Sequence, residues 1–164
     1  MNLKIESFPK FVQPILRYFH VDFEPPRPPH NGEVVLASLV AIVGSLVADI
    51  VLVAIGMRVF PSVKHYGHFR FSDYSKLTLI GVVIACIAWS VVTRVSSLPR
   101  WLFLRMAIVV TIVLLAPDLY ILHQGQPAKG VAVLMCMHLA IALVTYNALV
   151  RIAPTHRFRR QANS

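Results

Sequence analysis

The sequence is poor in charged residues, which make up 14% of its 164 residues, whereas 57% are hydrophobic. Soluble domains carry about 25% charged residues, so this composition excludes an ordinary water-soluble fold. It also excludes intrinsic disorder, because disordered chains are poor in apolar residues. The composition therefore predicts a membrane protein.

Residues and motifs that carry common membrane chemistry are missing as well. The two cysteines, Cys86 and Cys136, stand alone in different apolar runs, so the chain has no Cys-x-x-Cys redox pair. Haem ligation by two facing histidines is unsupported, because only His138 lies clearly within an apolar run. A P-loop, a Gly-x-Ser-x-Gly turn and a His-Glu-x-x-His sequence are absent, and no histidine spacing indicates a metal site. We therefore expect a non-enzymatic protein without a cofactor or a bound metal.

Long apolar runs separate the charged segments and predict four transmembrane helices. They cover residues 34–57, 77–93, 101–122 and 131–150. A helix needs about 20 apolar residues to cross a hydrocarbon layer of about 30 Å, and each run meets or nearly meets that length. Strands of membrane barrels alternate apolar and polar residues, whereas these runs are continuous. The predicted fold is an all-α, four-transmembrane-helix bundle over residues 33–151.

The lysines and arginines are distributed unevenly between the two sides of the predicted bundle. Of the 16, ten belong to the N-terminal segment, the connection between the second and third spans, and the C-terminal end of the chain; Arg105, near the start of the third span, makes eleven on that side, and five belong to the other side. Because cytoplasmic loops are enriched in these residues, both termini are predicted to be cytoplasmic, with residues 152–164 as a basic tail. The juxtamembrane charge attracts anionic lipids, so the pI of about 10.2 does not indicate nucleic acid. The region near Met1 lacks a cleavable signal pattern, so the first span is expected to direct insertion.

The N-terminal segment, residues 1–32, is predicted to contain an interfacial helix and a proline-rich connector. On a helical wheel, the apolar side chains of residues 4–19 share one face and the charged ones lie opposite. Such a helix lies on a membrane surface, and Pro9 and Pro14 predict that it begins or kinks at one of them. Four prolines within residues 25–29 predict an extended connector. We favour a membrane-surface anchor over a docking surface for a partner; the candidate contact residues for such a partner are Phe8, Phe11 and Phe19.

The connection between the first two spans is rich in aromatic residues. Phe69 and Phe71 alternate with polar residues, a period of two that predicts a short extended segment or hairpin. Aromatic residues concentrate at membrane interfaces, but together with arginine and histidine they also suit a contact patch for another protein or a lipid headgroup. Both interpretations stay open. The candidate contact residues are Tyr66, Phe69, Arg70, Phe71 and Tyr74.

Polar residues within the spans are the main candidates for function. A carboxylate such as that of Asp49 costs at least about 2.5–3.5 kcal/mol near the bilayer centre, so it needs a partner or a proton. His138 lies at a similar depth, and the two residues are predicted to form a hydrogen-bonded pair if the first and fourth spans are neighbours. We favour a structural pair over a proton relay or a ligand site. Asp118, which follows Pro117, and His123 predict a second polar cluster at the outer end of the third span.

Two short sequences in the second half carry a resemblance to a known family. Leu114-Leu115-Ala116-Pro117-Asp118 and Met137-His138-Leu139, joined by a short glycine-containing loop, resemble a family of small four-helix integral membrane proteins from actinobacteria whose function is not established. The resemblance covers mainly residues 94–151 and implies the fold, a bacterial plasma (inner) membrane and a role for His138. The N-terminal helix, the connector and the aromatic loop depart from the family pattern and are interpreted as additions for a partner.

Three functions are weighed on this basis. The favoured hypothesis is a non-enzymatic accessory or scaffolding subunit of a larger membrane complex, with another integral membrane protein as its partner. By analogy, that partner is a transporter permease such as that of a lipid importer. The alternative is a small proton-coupled transporter or carrier that uses Asp49, His138 and Asp118. A lipid-modifying enzyme is the weakest, because its catalytic groups would have to come from scattered histidines and aspartates.

Overall fold

The computed structural model describes residues 5–18, 21, 27–63 and 69–156. A short helix, α1, is followed by four long helices, with the bounds α1 Gln13–Tyr18, α2 Asn31–Val59, α3 Phe71–Val95, α4 Pro99–His123 and α5 Ala128–Ile152. The four long helices are apolar and long enough to cross a membrane, which confirms the predicted fold class. They extend the predicted runs by one to six residues at each end, because the apolar stretch marks the membrane crossing and the helix continues into its polar flanks.

The four spans form a bundle in which α2 and α5 are the central pair. α2 packs most extensively against α5, α4 packs against α5, and α3 packs against α2, whereas α3 and α4 contact each other less. The end of α2, the start of α3 and residues 124–127 lie at what we call the loop end of the bundle. Residues 96–98 and 153–156 lie at the opposite end, called the termini end.

Small residues allow α2 and α5 to approach each other closely. A Cβ atom added to Gly44 would lie 2.9 Å from Val144 Cγ1, and one added to Gly56 would lie 2.8 Å from Val133 Cγ2. Lipid tails provide no hydrophobic drive for helix association, so close packing of this kind is a main source of stability within a membrane. The buried residues of α2 recur at intervals of three or four along one face: Ala37, Ala41, Ser45, Asp49, Val53 and Gly56.

Aromatic side chains join α3, α4 and α5 towards the termini end. Trp89 is fully buried, and its Nε1–H donates a hydrogen bond to the carbonyl oxygen of Ala153 at 3.1 Å. Its ring lies 5.1 Å from that of Phe103, which stacks on Tyr146 at 5.9 Å. The indole N–H is thereby satisfied, and the C-terminal end of α5 is held against α3.

The predicted interfacial helix is shorter than residues 4–19. Its α-helical part is α1, preceded by a 3-10 turn at Ile5–Ser7, and Pro14 lies in the first turn of α1, where its missing N–H costs nothing. The Nη1 of Arg105 donates a hydrogen bond to the Tyr18 hydroxyl at 2.6 Å, and its guanidinium lies 3.8 Å from the centre of the Trp101 ring. The hydrogen bond between Arg105 and Tyr18 therefore holds α1 against the start of α4.

The terminal segments meet at the termini end. Arg27 and His156 exchange both backbone hydrogen bonds, each of 3.1 Å, and Val21 pairs with Ser96 in a second isolated bridge. The side chain of Glu33 accepts a hydrogen bond from the His30 N–H at 2.9 Å and lies 3.6 Å from His156 Nε2. These contacts fix the connector against the start of α2 and the end of α5.

The prediction of an extended segment or hairpin in the aromatic loop is wrong for residues 71–74, which are the first turn of α3. The Asp73 N–H donates to the Arg70 carbonyl oxygen at 3.0 Å, and an acidic residue in the first turn favours a helix. Residues 64–68 lie outside the described part of the chain. The part of the alternation from Phe71 onward is therefore the start of a helix.

Candidate functional site

A fully buried carboxyl group joins α2 and α3. The hydroxyl of Thr78 donates a hydrogen bond of 2.6 Å to Oδ2 of Asp49, which has no exposed surface. The other oxygen, Oδ1, is buried and has no hydrogen-bond partner. Asp49 is thus half satisfied, in the part of the protein where an unsatisfied polar group is most costly.

A second polar pair joins α4 and α5. The distance from His138 Nδ1 to Asp118 Oδ2 is 3.0 Å, and the same nitrogen lies 3.1 Å from the carbonyl oxygen of Leu134. Only 7% of the Asp118 side chain is exposed, whereas 30% of the His138 side chain is exposed. Asp118 is the one buried residue in the second half of α4, so the pair fixes that half against α5.

The two pairs belong to one polar cluster within the loop-end half of the bundle. His138 and Tyr74 both interact electrostatically with Asp49. All four spans contribute, and we define the polar cluster by its five residues: Asp49, Tyr74, Thr78, Asp118 and His138. About one turn further from the loop end on α2, Ser45 and Thr145 lie 3.3 Å apart and form a buried hydroxyl pair between α2 and α5.

The predicted hydrogen bond between Asp49 and His138 is wrong, although α2 and α5 are neighbours as the prediction required. The reason is the rotation of α5. Met137 is buried in a cluster with Val53 of α2 and Tyr74 of α3. Because successive residues of a helix are rotated by about 100°, His138 points away from that cluster and reaches Asp118 on α4.

The structure does not bring together Asp118 and His123, the two residues of the second predicted cluster. Asp118 lies within the bundle and pairs with His138, whereas His123 is exposed at the end of α4. Residues five apart on a helix do not share a face. Among the described residues, no three histidine, cysteine or acidic side chains are grouped so that they could hold a metal ion.

The candidate contact residues are not equivalent in the structure. Phe11 is 75% exposed and Phe71 is 57% exposed, so both lie on the surface. Phe8 is partly buried, and Arg70 is exposed just before α3; Phe19 and Tyr66 lie outside the described residues. Phe69 packs against the cluster that contains Met137. The prediction that Tyr74 is a contact residue on the surface is wrong, because its side chain is buried. Tyr74 lies one turn before Thr78 on the same face of α3.

Thr78 belongs to the polar cluster but was not predicted as a site residue. Threonine is common in membrane helices and is weakly polar, so its position within an apolar run gives little signal. Its position relative to Tyr74 does give a signal, because the two residues are four apart and therefore share a face of α3. A polar pair at this spacing indicates a face that is turned away from lipid.

Four spans around an internal polar cluster define a small polytopic membrane protein of the four-helix type. Residues 25–155 match the family of unknown function DUF6069, and the chain belongs to this family. The match confirms the resemblance and extends it beyond residues 94–151. It begins within the proline-rich connector and spans the aromatic loop, so the prediction that these two segments depart from the family pattern is wrong. No curated protein and no solved structure matches the chain.

Proposed function

We propose that the protein is a non-enzymatic accessory or scaffolding subunit of a larger membrane complex. The observation that carries this proposal is the uncovered middle of α4. No residue of 104–117 is buried, and only those at 105, 107, 111 and 115 are partly covered. This stretch is about 20 Å long, two-thirds of the hydrocarbon thickness.

Both ends of α4 are attached to the bundle, whereas its middle has no buried residue. Phe103 packs against Trp89 and Tyr146 near the start, and Asp118 pairs with His138 near the end. A foreign helix can therefore cover the middle of α4 without disturbing either attachment. The partner we propose is a transmembrane helix of a different integral membrane protein, such as a transporter permease, and lipid transport is the process we propose by analogy.

Purification of the tagged protein from its native membranes in mild detergent tests this proposal. We expect one membrane protein to co-purify in a fixed ratio. Val113→Trp, in the middle of α4, should reduce that ratio, because Val113 is 62% exposed on the proposed contact face. The matched control is Val43→Trp on α2, where the side chain is 59% exposed, and it should retain the partner. A protein that runs alone, or only with a second copy of itself, contradicts the proposal.

A small proton-coupled carrier is the second candidate, and the polar cluster to which all four spans contribute favours it. Reconstituted vesicles with an imposed pH gradient and an internal pH dye would report proton flux. We expect flux in the wild-type protein and its loss in Asp49→Asn, with Asp73→Asn as a control because Asp73 is exposed at the start of α3. An absence of flux in the wild-type protein, or full flux in Asp49→Asn, contradicts this candidate.

We also propose that the protein lies in the bacterial plasma membrane with both termini in the cytoplasm. The eleven-to-five distribution of lysine and arginine supports this orientation. After replacement of both native cysteines, Gln126→Cys at the loop end and Asn31→Cys at the termini end can be labelled with an impermeant maleimide. In intact cells we expect labelling at position 126 only. Labelling at position 31 only would reverse the orientation.

A further inference from the structure

We propose that Asp49 binds one exchangeable proton within the membrane, at Oδ1, in a site completed by Thr78 and by the His138–Asp118 pair. This assignment goes beyond the role of a complex subunit and does not depend on it. Oδ2 already accepts a hydrogen bond from the Thr78 hydroxyl, and Oδ1 of the same carboxyl group is buried without a hydrogen-bond partner. Oδ1 is therefore the atom at which a proton is added or lost.

In the described part of the chain, Asp49 has no charged side chain in direct contact. A buried carboxylate is stabilised by a nearby cation or by several hydrogen-bond donors, and Asp49 has one neutral donor. Among the residues that the structure describes, no lysine or arginine lies within ion-pair distance of Asp49. Addition of a proton to Oδ1 converts the carboxylate into a neutral carboxyl group, which removes the buried charge.

The contacts of the whole polar cluster lead to the same assignment. The titratable groups around Asp49 are Tyr74 from α3 and His138 from α5, and the imidazole ring of His138 is paired with Asp118 from α4. The distance from His138 Nδ1 to Asp118 Oδ2 is 3.0 Å, so the direct contact of the ring is with Asp118. Oδ1 of Asp49 is left without a hydrogen bond, at a site that links α2 and α3 to α4 and α5.

Infrared difference spectroscopy of the protein in lipid membranes tests the assignment, because a protonated carboxyl group has its own carbonyl stretching band. We expect a pH-dependent band in the wild-type protein, its loss in Asp49→Asn and its retention in Asp73→Asn. Thr78→Val removes the hydrogen bond to Oδ2 and should move the band to higher wavenumber, whereas Thr78→Ser should leave it in place.

The assignment is overturned if the folded wild-type protein shows no such band, or if the band persists in Asp49→Asn. If Asp49→Asn does not fold, the position of the band in Thr78→Val decides: a shift supports the assignment and an unshifted band overturns it. Loss of a co-purifying partner leaves these results unaffected, so failure of the subunit proposal and failure of the proton site are separate outcomes.

Discussion

Gly56→Ala tests whether close contact between α2 and α5 stabilises the bundle. A Cβ atom at this position would lie 2.8 Å and 3.2 Å from the two methyl carbons of Val133 and 3.5 Å from its Cβ. These are the atoms of a β-branched side chain on a packed helix, so they cannot rotate away without new contacts. The substitution therefore forces the two helices apart.

The magnitude follows from two opposing effects. An added methyl group in a packed interior costs about 1–3 kcal/mol, while alanine is favoured over glycine within a helix by about 0.8–1.0 kcal/mol. The net loss of stability for Gly56→Ala is therefore about 1 kcal/mol. Gly81 on α3 is the matched control, because a Cβ there meets no atom within 4 Å. Gly81→Ala should leave the bundle unchanged or slightly more stable.

Unfolding in mixed detergent micelles, followed by tryptophan fluorescence, measures both variants, since the buried Trp89 is a native probe. Val133→Ala provides a second check, because it removes the two methyl carbons that clash with Ala at position 56. The double variant should show a favourable coupling of about 1–2 kcal/mol relative to the sum of the single variants. Equal stability of Gly56→Ala and Gly81→Ala would refute the close approach of α2 and α5.

Three further substitutions test other contacts. Trp89→Phe removes the hydrogen bond to Ala153 and should destabilise the bundle by about 0.5–1.5 kcal/mol in the same assay. Arg105→Lys removes the planar group that contacts the tyrosine of α1, so limited proteolysis before α2 should become faster. His138→Ala deprives the buried Asp118 of this partner and should lower the free energy of unfolding by about 1–3 kcal/mol. A variant that resists detergent unfolding as well as the wild-type protein does would argue against the pair.

The four-helix fold was predictable because a membrane restricts the possible structures. Backbone groups in lipid must be hydrogen-bonded within the chain, so a continuous apolar run of sufficient length indicates a helix. The ends of the helices were less predictable. Phe71 begins α3 six residues before the apolar run, because polar residues that emerge from the membrane can remain helical without adding to hydrophobicity.

The members of the polar cluster were only partly predictable. The cost of an intramembrane charge made Asp49 and His138 visible in the sequence, and their depth in the bilayer followed from their distance to the helix ends. Their partners depend on how each helix is rotated about its axis. Met137 is buried towards α2 and α3, which turns His138 towards Asp118, and no property of the α5 sequence alone sets that rotation.

The subunit role that we propose requires the uncovered middle of α4 to contact a different membrane protein. A photo-crosslinking amino acid placed at Val113, and in a separate variant at Val43 on the exposed face of α2, tests it directly in native membranes. We expect a crosslinked product with one other membrane protein from position 113 and none from position 43. Crosslinks from position 113 to lipid alone, or to a second copy of this chain, would contradict it.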